Sequence, residues 1–110
     1  MRLVRLLLLT CLVLMPVAAA AQAPVEVPLL IENHRFQPDE IRVKAGAPFV
    51  LVLTNKDAGP EEFESPQLRI EKVIAGGKTT RLRMPALKPG TYRFVGEYHE
   101  QTAQGRIVAE

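Results

Sequence analysis

The stretch "TYRFVGEYHEQTAQGRIVAE", residues 91–110, decides how the rest of the chain is read. Its flanks, "TYRFVGEY" (91–98) and "GRIVAE" (105–110), read as two strands, each a short run rich in aromatic and β-branched residues. Between them "GEYHE" places Glu97 and Glu100 around His99, one of the two histidines in the protein. A closing hairpin with a histidine at its tip is expected, and two readings of the tip are open. If the strand runs on through "EYH", its period of two puts Glu97 and His99 on one side, with Tyr98 and Glu100 on the other. If it stops at Gly96, Glu100 competes with Glu97 for the place beside His99.

Working outward, the preceding segments carry the same signal. "VEVPLLIEN" (25–33) is a strand, with Pro28 marking an edge or bulge, and "RFQPDE" is a turn. "EIRVKAG" (40–46) alternates Ile41 and Val43 with Arg42 and Lys44. "APFVLVLTN" (47–55) is apolar enough for a central strand buried on both faces, whereas "NKDAGPEEFESP" (55–66) reads as a loop anchored by Phe63. "LRIEKVIAGG" (68–77), "TTRLRMPAL" (79–87) and the turn "KPG" (88–90) complete the set. Seven or eight short strands at this spacing predict an all-β fold, a β-sandwich or small barrel, with no internal repeat and no linker to divide it. Phe36, Phe49, Phe63, Phe94 and Met84 are core candidates. His34, beside Arg35, reads as a surface residue, and Glu71 as an outward strand residue paired to a neighbouring base.

The start of the chain is of another kind. Arg2 and Arg5 followed by an apolar run to Val17 and an Ala-rich end have the pattern of a secretory signal peptide, with cleavage expected after Ala21. The run is shorter than the roughly 20 residues a membrane span needs. Residues 1–21 are thus expected to be removed, leaving 22–110 as a single domain outside the cytoplasm. Without Arg2 and Arg5 the formal net charge of +2 falls to about zero, which argues against nucleic acid as a partner. Cys11, the single cysteine, leaves with the leader, so no disulfide framework is expected. No Ser or Cys nucleophile stands in a recognisable setting beside a histidine, which excludes a hydrolase.

The elements "FQPDEIRVKAGAPFVLVLTNKD" and "LKPGTYRFVGEYH…GRIVAE" resemble the cupredoxin family, and the resemblance covers nearly all of residues 22–110. It implies a Greek-key β-sandwich with a copper site at one end, built from a histidine after the Asn-containing strand and a Tyr-x-Phe-x-Cys-x-x-His hairpin followed by methionine. Tyr92, Phe94 and His99 keep that hairpin pattern, but Gly96 stands in the cysteine's place. Ala103 and Gln104 occupy the methionine's stretch, and Glu61 or Glu62 lies where the first histidine belongs. Blue-copper chemistry acts through the thiolate, so an ordinary blue electron carrier is excluded.

In such a fold Glu61, Glu62 and Glu64 face Glu97, His99 and Glu100 at one end of the sandwich. Carboxylates held close together repel and raise one another's pKa unless a cation sits among them. An oxygen-rich set with one imidazole suits Cu(II) or iron better than Cu(I). Solvated loop ends are the plain alternative.

"EEFES" and "GEYHExTAxG" further resemble the cysteine-less periplasmic cupredoxins of Ftr-type (FtrABCD) bacterial iron-uptake systems, and the cupredoxin domain of EfeO-type proteins. That resemblance implies a periplasmic protein that binds a copper and/or iron ion and works with an iron permease and other periplasmic components. It assigns Glu62 and Glu64 to a Glu-aromatic-Glu loop, Glu71 to an acidic strand, and Glu97, His99 and Glu100 to the hairpin motif. The metal set expected is therefore Glu62, Glu97 and His99, with Glu61, Glu64, Glu71 and Glu100 as alternates or as a negative funnel. Help in Fe(II) oxidation or iron hand-over is the implied role. A copper-assisted ferroxidase would also need an electron acceptor that the sequence does not show. The rivals are a non-blue copper or electron-transfer protein and a metal-free adaptor docking on a membrane partner; a homodimer stays open.

Overall fold

The computed structural model describes residues 2–4, 6–17 and 23–110. The expected cleavage point after Ala21 lies outside the described residues. Residues 2–4 and 6–17 are exposed and carry no regular structure. Among the described residues no helix is long and apolar enough to cross a membrane.

Alternating burial defines the strands along the rest of the chain. They are β1 (Val25–Glu32), β2 (Arg35–Gln37), β3 (Glu40–Val43), β4 (Phe49–Asn55), β5 (Glu61–Ser65), β6 (Ile70–Ile74), β7 (Thr79–Met84), β8 (Gly90–Gly96) and β9 (Gln104–Ala109), with a 3-10 turn at Glu97–His99. One sheet runs β2-β1-β4-β7 and the other β3-β9-β8-β5-β6. Antiparallel pairs supply most of the pairing, while β1 runs parallel to β4 and β3 parallel to β9. The all-β sandwich expected from the sequence is the fold observed.

The core lies between the sheets. Leu29, Ile31, Leu51 and Leu53 from one sheet meet Phe63, Ile74, Phe94 and Ile107 from the other, all essentially inaccessible. Phe36 packs edge-on against Phe63 and Phe94 at ring separations of 6.0 and 4.9 Å. Each such side chain contributes about 1.5–3 kcal/mol of burial, which lets the domain stand without a disulfide. Phe49 and Met84 are buried as expected.

Three elements differ from the sequence reading. "RFQPDE" contains a strand, β2, because Phe36 is drawn into the core. "NKDAGPEEFESP" is not all loop: Glu61–Ser65 forms β5 between β8 and β6, with Glu61, Phe63 and Ser65 buried. Its inward positions hold only one apolar residue, so the period of two was hidden; Ser65 satisfies its hydroxyl by donating to the Arg93 carbonyl at 2.8 Å. β4 is central but not covered on both faces, since Val52 and Thr54 are half-buried. Pro28 lies beyond the stretch of β1, Leu30–Glu32, that β2 pairs with, so its missing N–H takes no bond from that pairing.

Candidate metal centre

β8 ends at Gly96, and the 3-10 turn that follows splits the residues expected at the sandwich end into an inner and an outer group. The inner group is built from the loop after β4. Asn55, fully buried, donates through Nδ2 to the carbonyls of Gly59 and Ile74 and accepts the Asp57 N–H. Asp57 then accepts the N–H groups of Asn33 and His34 at 2.8 and 3.0 Å. Both donors sit at positive φ, 53° and 58°, the conformation of the two-residue turn that joins twisted antiparallel strands. These hydrogen bonds, His34's first, hold the Asp57 carboxyl below its ordinary pKa.

The turn lays the His34 ring on His99, stacked with centroids 3.5 Å apart and planes 10° from parallel. Thr102 Oγ1 bridges the two segments by donating to the His34 carbonyl at 2.6 Å. On the inner side, His99 Nδ1 lies 2.5 Å from Glu61 Oε2. The other oxygen of Glu61 accepts the backbone N–H groups of Glu62 and Tyr98, each at 3.0 Å. Glu61 is 1% exposed, so this carboxylate is buried but fully partnered, the condition for burying a charge without a large penalty.

The outer group shares the solvent face of the second sheet. Strand alternation turns Glu62 and Glu64 of β5 outward, and Glu64 stands directly opposite Glu71 of β6. Like charges so placed are destabilising. Glu97 joins them from the 3-10 turn, its carboxyl beside that of Glu62. Hydrogen bonding with Glu97, then burial and the repulsion of Glu97, Glu71 and Glu64, push the Glu62 carboxyl up. Glu64 is raised by burial first, then by Glu97, Glu71 and Glu100. The Tyr98 phenol, raised by burial and by Glu62, lies against the same group. Among the described residues the ion pairs join Glu26, Glu40, Glu61 and Glu110 to their partners, and none neutralises this face.

The structure thus brings Glu62 to Glu97, with Glu64, Glu71 and Glu100 near them, and brings Glu61 to His99. It does not join His99 to Glu62 and Glu97. Among the described residues no three His, Cys, Asp or Glu side chains converge as metal ligands do. Glu71 points outward as expected but meets Glu64 rather than a base. His34, read as a bystander, is part of the inner group. The signal for it was present: two residues, Asn33 and His34, separate two strands, which is the length of a tight hairpin turn.

A thiolate copper centre does not fit these residues. A Cβ on residue 96 would stand 2.6 Å from Ala103 Cβ, 2.7 Å from the Glu61 carboxyl carbon and 2.9 Å from its Oε1. The space a cysteine side chain would use is filled.

Two sheets closed at one end by an Asn-led loop and a histidine hairpin define the cupredoxin class of β-sandwich. Residues 4–109 match the model of the cupredoxin-like domain, and the chain belongs to that family. It is similar to an uncharacterized protein of Rickettsia prowazekii (strain Madrid E), 36% identical over 83 residues, which are 76% of this chain and 66% of that one. Among solved structures it is similar to auracyanin A, a "blue" copper protein of Chloroflexus aurantiacus, at TM-score 0.68 and 17% identity over 80% of this chain and 100% of that one. Amicyanin of Paracoccus versutus gives 0.61 and 15% over 84% and 87%. A purple cupredoxin of Nitrosopumilus maritimus gives 0.59 and 15% over 76% and 98%. At these identities the likeness is one of fold.

Proposed function

We propose that the protein binds a multivalent metal cation, iron or copper, on the outer carboxylate face and supports a membrane iron permease in the periplasm by handing that cation over. The observation that carries this reading is the Glu62–Glu97 pair: two carboxyls side by side, flanked by Glu64 and Glu71, with no ion pair to a base among the described residues. A cation removes the repulsion that this arrangement stores. With the imidazole of His99 turned to Glu61, the donors left are oxygens, which favours hard cations such as Fe(III) over Cu(I). Glu100 extends the negative field toward solvent and draws cations in. Glu97, Glu71 and Glu100 are exposed to solvent, which suits a cargo that must leave again.

Uptake of radiolabelled iron by cells whose own copy is replaced by Glu62→Gln or Glu97→Gln tests the role. Reduced uptake at unchanged protein level is the expected result, and uptake equal to wild type overturns it. Docking on a membrane partner without metal is the second reading, favoured by Val73 and Tyr98, which stay 50% and 48% exposed on the same acidic face.

A further inference from the structure

We infer that Glu61 closes the metal position of this fold from within, so that the end of the sandwich is a metal-free carboxylate–imidazole lock with His99. The inference rests on the proposed function only in assigning the cation to the outer face; the lock itself stands on geometry.

Four observations meet at this point. The carboxyl carbon and Oε1 of Glu61 lie within 2.9 Å of where a Cβ on Gly96 would be, so a carboxylate takes the space that the resemblance gives to sulfur. Both its oxygens are used, Oε1 by two backbone N–H groups and Oε2 by His99 Nδ1, so no lone pair is aimed into an empty cavity. Ala103, fully buried, seals the other side of Gly96, and the Gly96 N–H donates to the Ala103 carbonyl at 2.8 Å. The His34 ring covers one face of His99. A cation entering here would have to displace a charge-assisted hydrogen bond, the strong kind, and leave two backbone donors, Glu62 N–H of β5 and Tyr98 N–H of the turn, unpaired.

The lock has a consequence for the outer face. The Tyr98 N–H and His99 Nδ1 bind Glu61 from opposite ends of one carboxylate, and this docks the 3-10 turn on β5. The docked turn sets Glu97 beside Glu62. Glu61 and His99 are therefore positioning residues for the outer pair rather than ligands.

Two readouts test this on the protein expressed from its full sequence. Long-range proton–nitrogen correlation spectra of the imidazoles report which ring nitrogen carries hydrogen. The expected result is a protonated Nδ1 on His99 in wild type, assigned by its loss in His99→Gln, and reversion to the Nε2-protonated tautomer in Glu61→Gln. A bare Nδ1 in the wild type overturns the lock whatever the protein binds. The second readout is the electron paramagnetic resonance spectrum of the protein with one equivalent of Cu(II). Oxygen-only ligation without nitrogen coupling is expected; imidazole nitrogen coupling overturns the inference. If Nδ1 is protonated and neither copper nor iron binds, the lock stands and the proposed cation site is what fails.

Discussion

The carboxylate of Glu61 and the missing side chain of Gly96 share one space: the Glu61 carboxyl carbon lies 2.7 Å from where a Cβ on residue 96 would be. Enlarging residue 96 must therefore displace either Glu61 or the buried Ala103. Gly96→Ala is expected to cost about 1–3 kcal/mol, the usual range for overpacking a filled site. Because Glu61 accounts for part of the clash and Ala103 for the rest, the double variant Gly96→Ala/Glu61→Ala should be less destabilised than the two single changes together. Denaturant unfolding of the four proteins measures the coupling; strict additivity would show that the two positions do not compete.

The outer carboxylates give a pH dependence of defined sign. Glu62 and Glu64 have folded pKa values above the ordinary carboxylate value. The folded state then binds protons more readily than the unfolded one, so stability falls as pH rises through the interval between those values. The repulsion is fully present above it and absent below it. Glu62→Gln and Glu64→Gln should each raise the melting temperature at neutral pH and leave it unchanged in acid. A melting-temperature gain that persists below the carboxylate range would contradict the assignment to charge.

Asp57 behaves oppositely. Its carboxyl is held low by the backbone N–H of His34, with further help from that of Asn33, so its contribution is present above the ordinary Asp range and is lost as pH falls through its depressed folded value. Asp57→Ala leaves both N–H groups of a positive-φ turn to water alone and should cost about 0.5–1.5 kcal/mol at neutral pH, the net worth of a solvent-exposed hydrogen bond. The same change should loosen the His34–His99 stack, visible as a shift of the His99 ring protons. An unmoved His99 signal would separate the turn from the ring.

The sandwich was legible because most strands carry apolar residues at every second place, as in β1, β4 and β8. β5 escaped that reading because its inward residues are Glu61, Phe63 and Ser65, two of them polar and satisfied largely through distant partners in β8 and the 3-10 turn. The clustering of Glu62, Glu64, Glu71 and Glu97 could be anticipated from composition and resemblance. The division of Glu61 from Glu62 could not, since it follows from the facing of a strand that did not look like one. His34 was missed for a related reason: its contact with His99 is set by a turn conformation and by Asp57, residues far apart along the chain.

The proposed cation site lies on the outer face, around Glu62 and Glu97. Calorimetric titration of wild type, Glu62→Gln and Glu97→Gln with Cu(II), and with Fe(III) delivered from a weak chelate, tests it most directly. Stoichiometric binding in the wild type and a tenfold or greater loss of affinity in each variant, about 1.4 kcal/mol, is the result predicted. No binding by the wild type, or equal affinity in all three proteins, would contradict it.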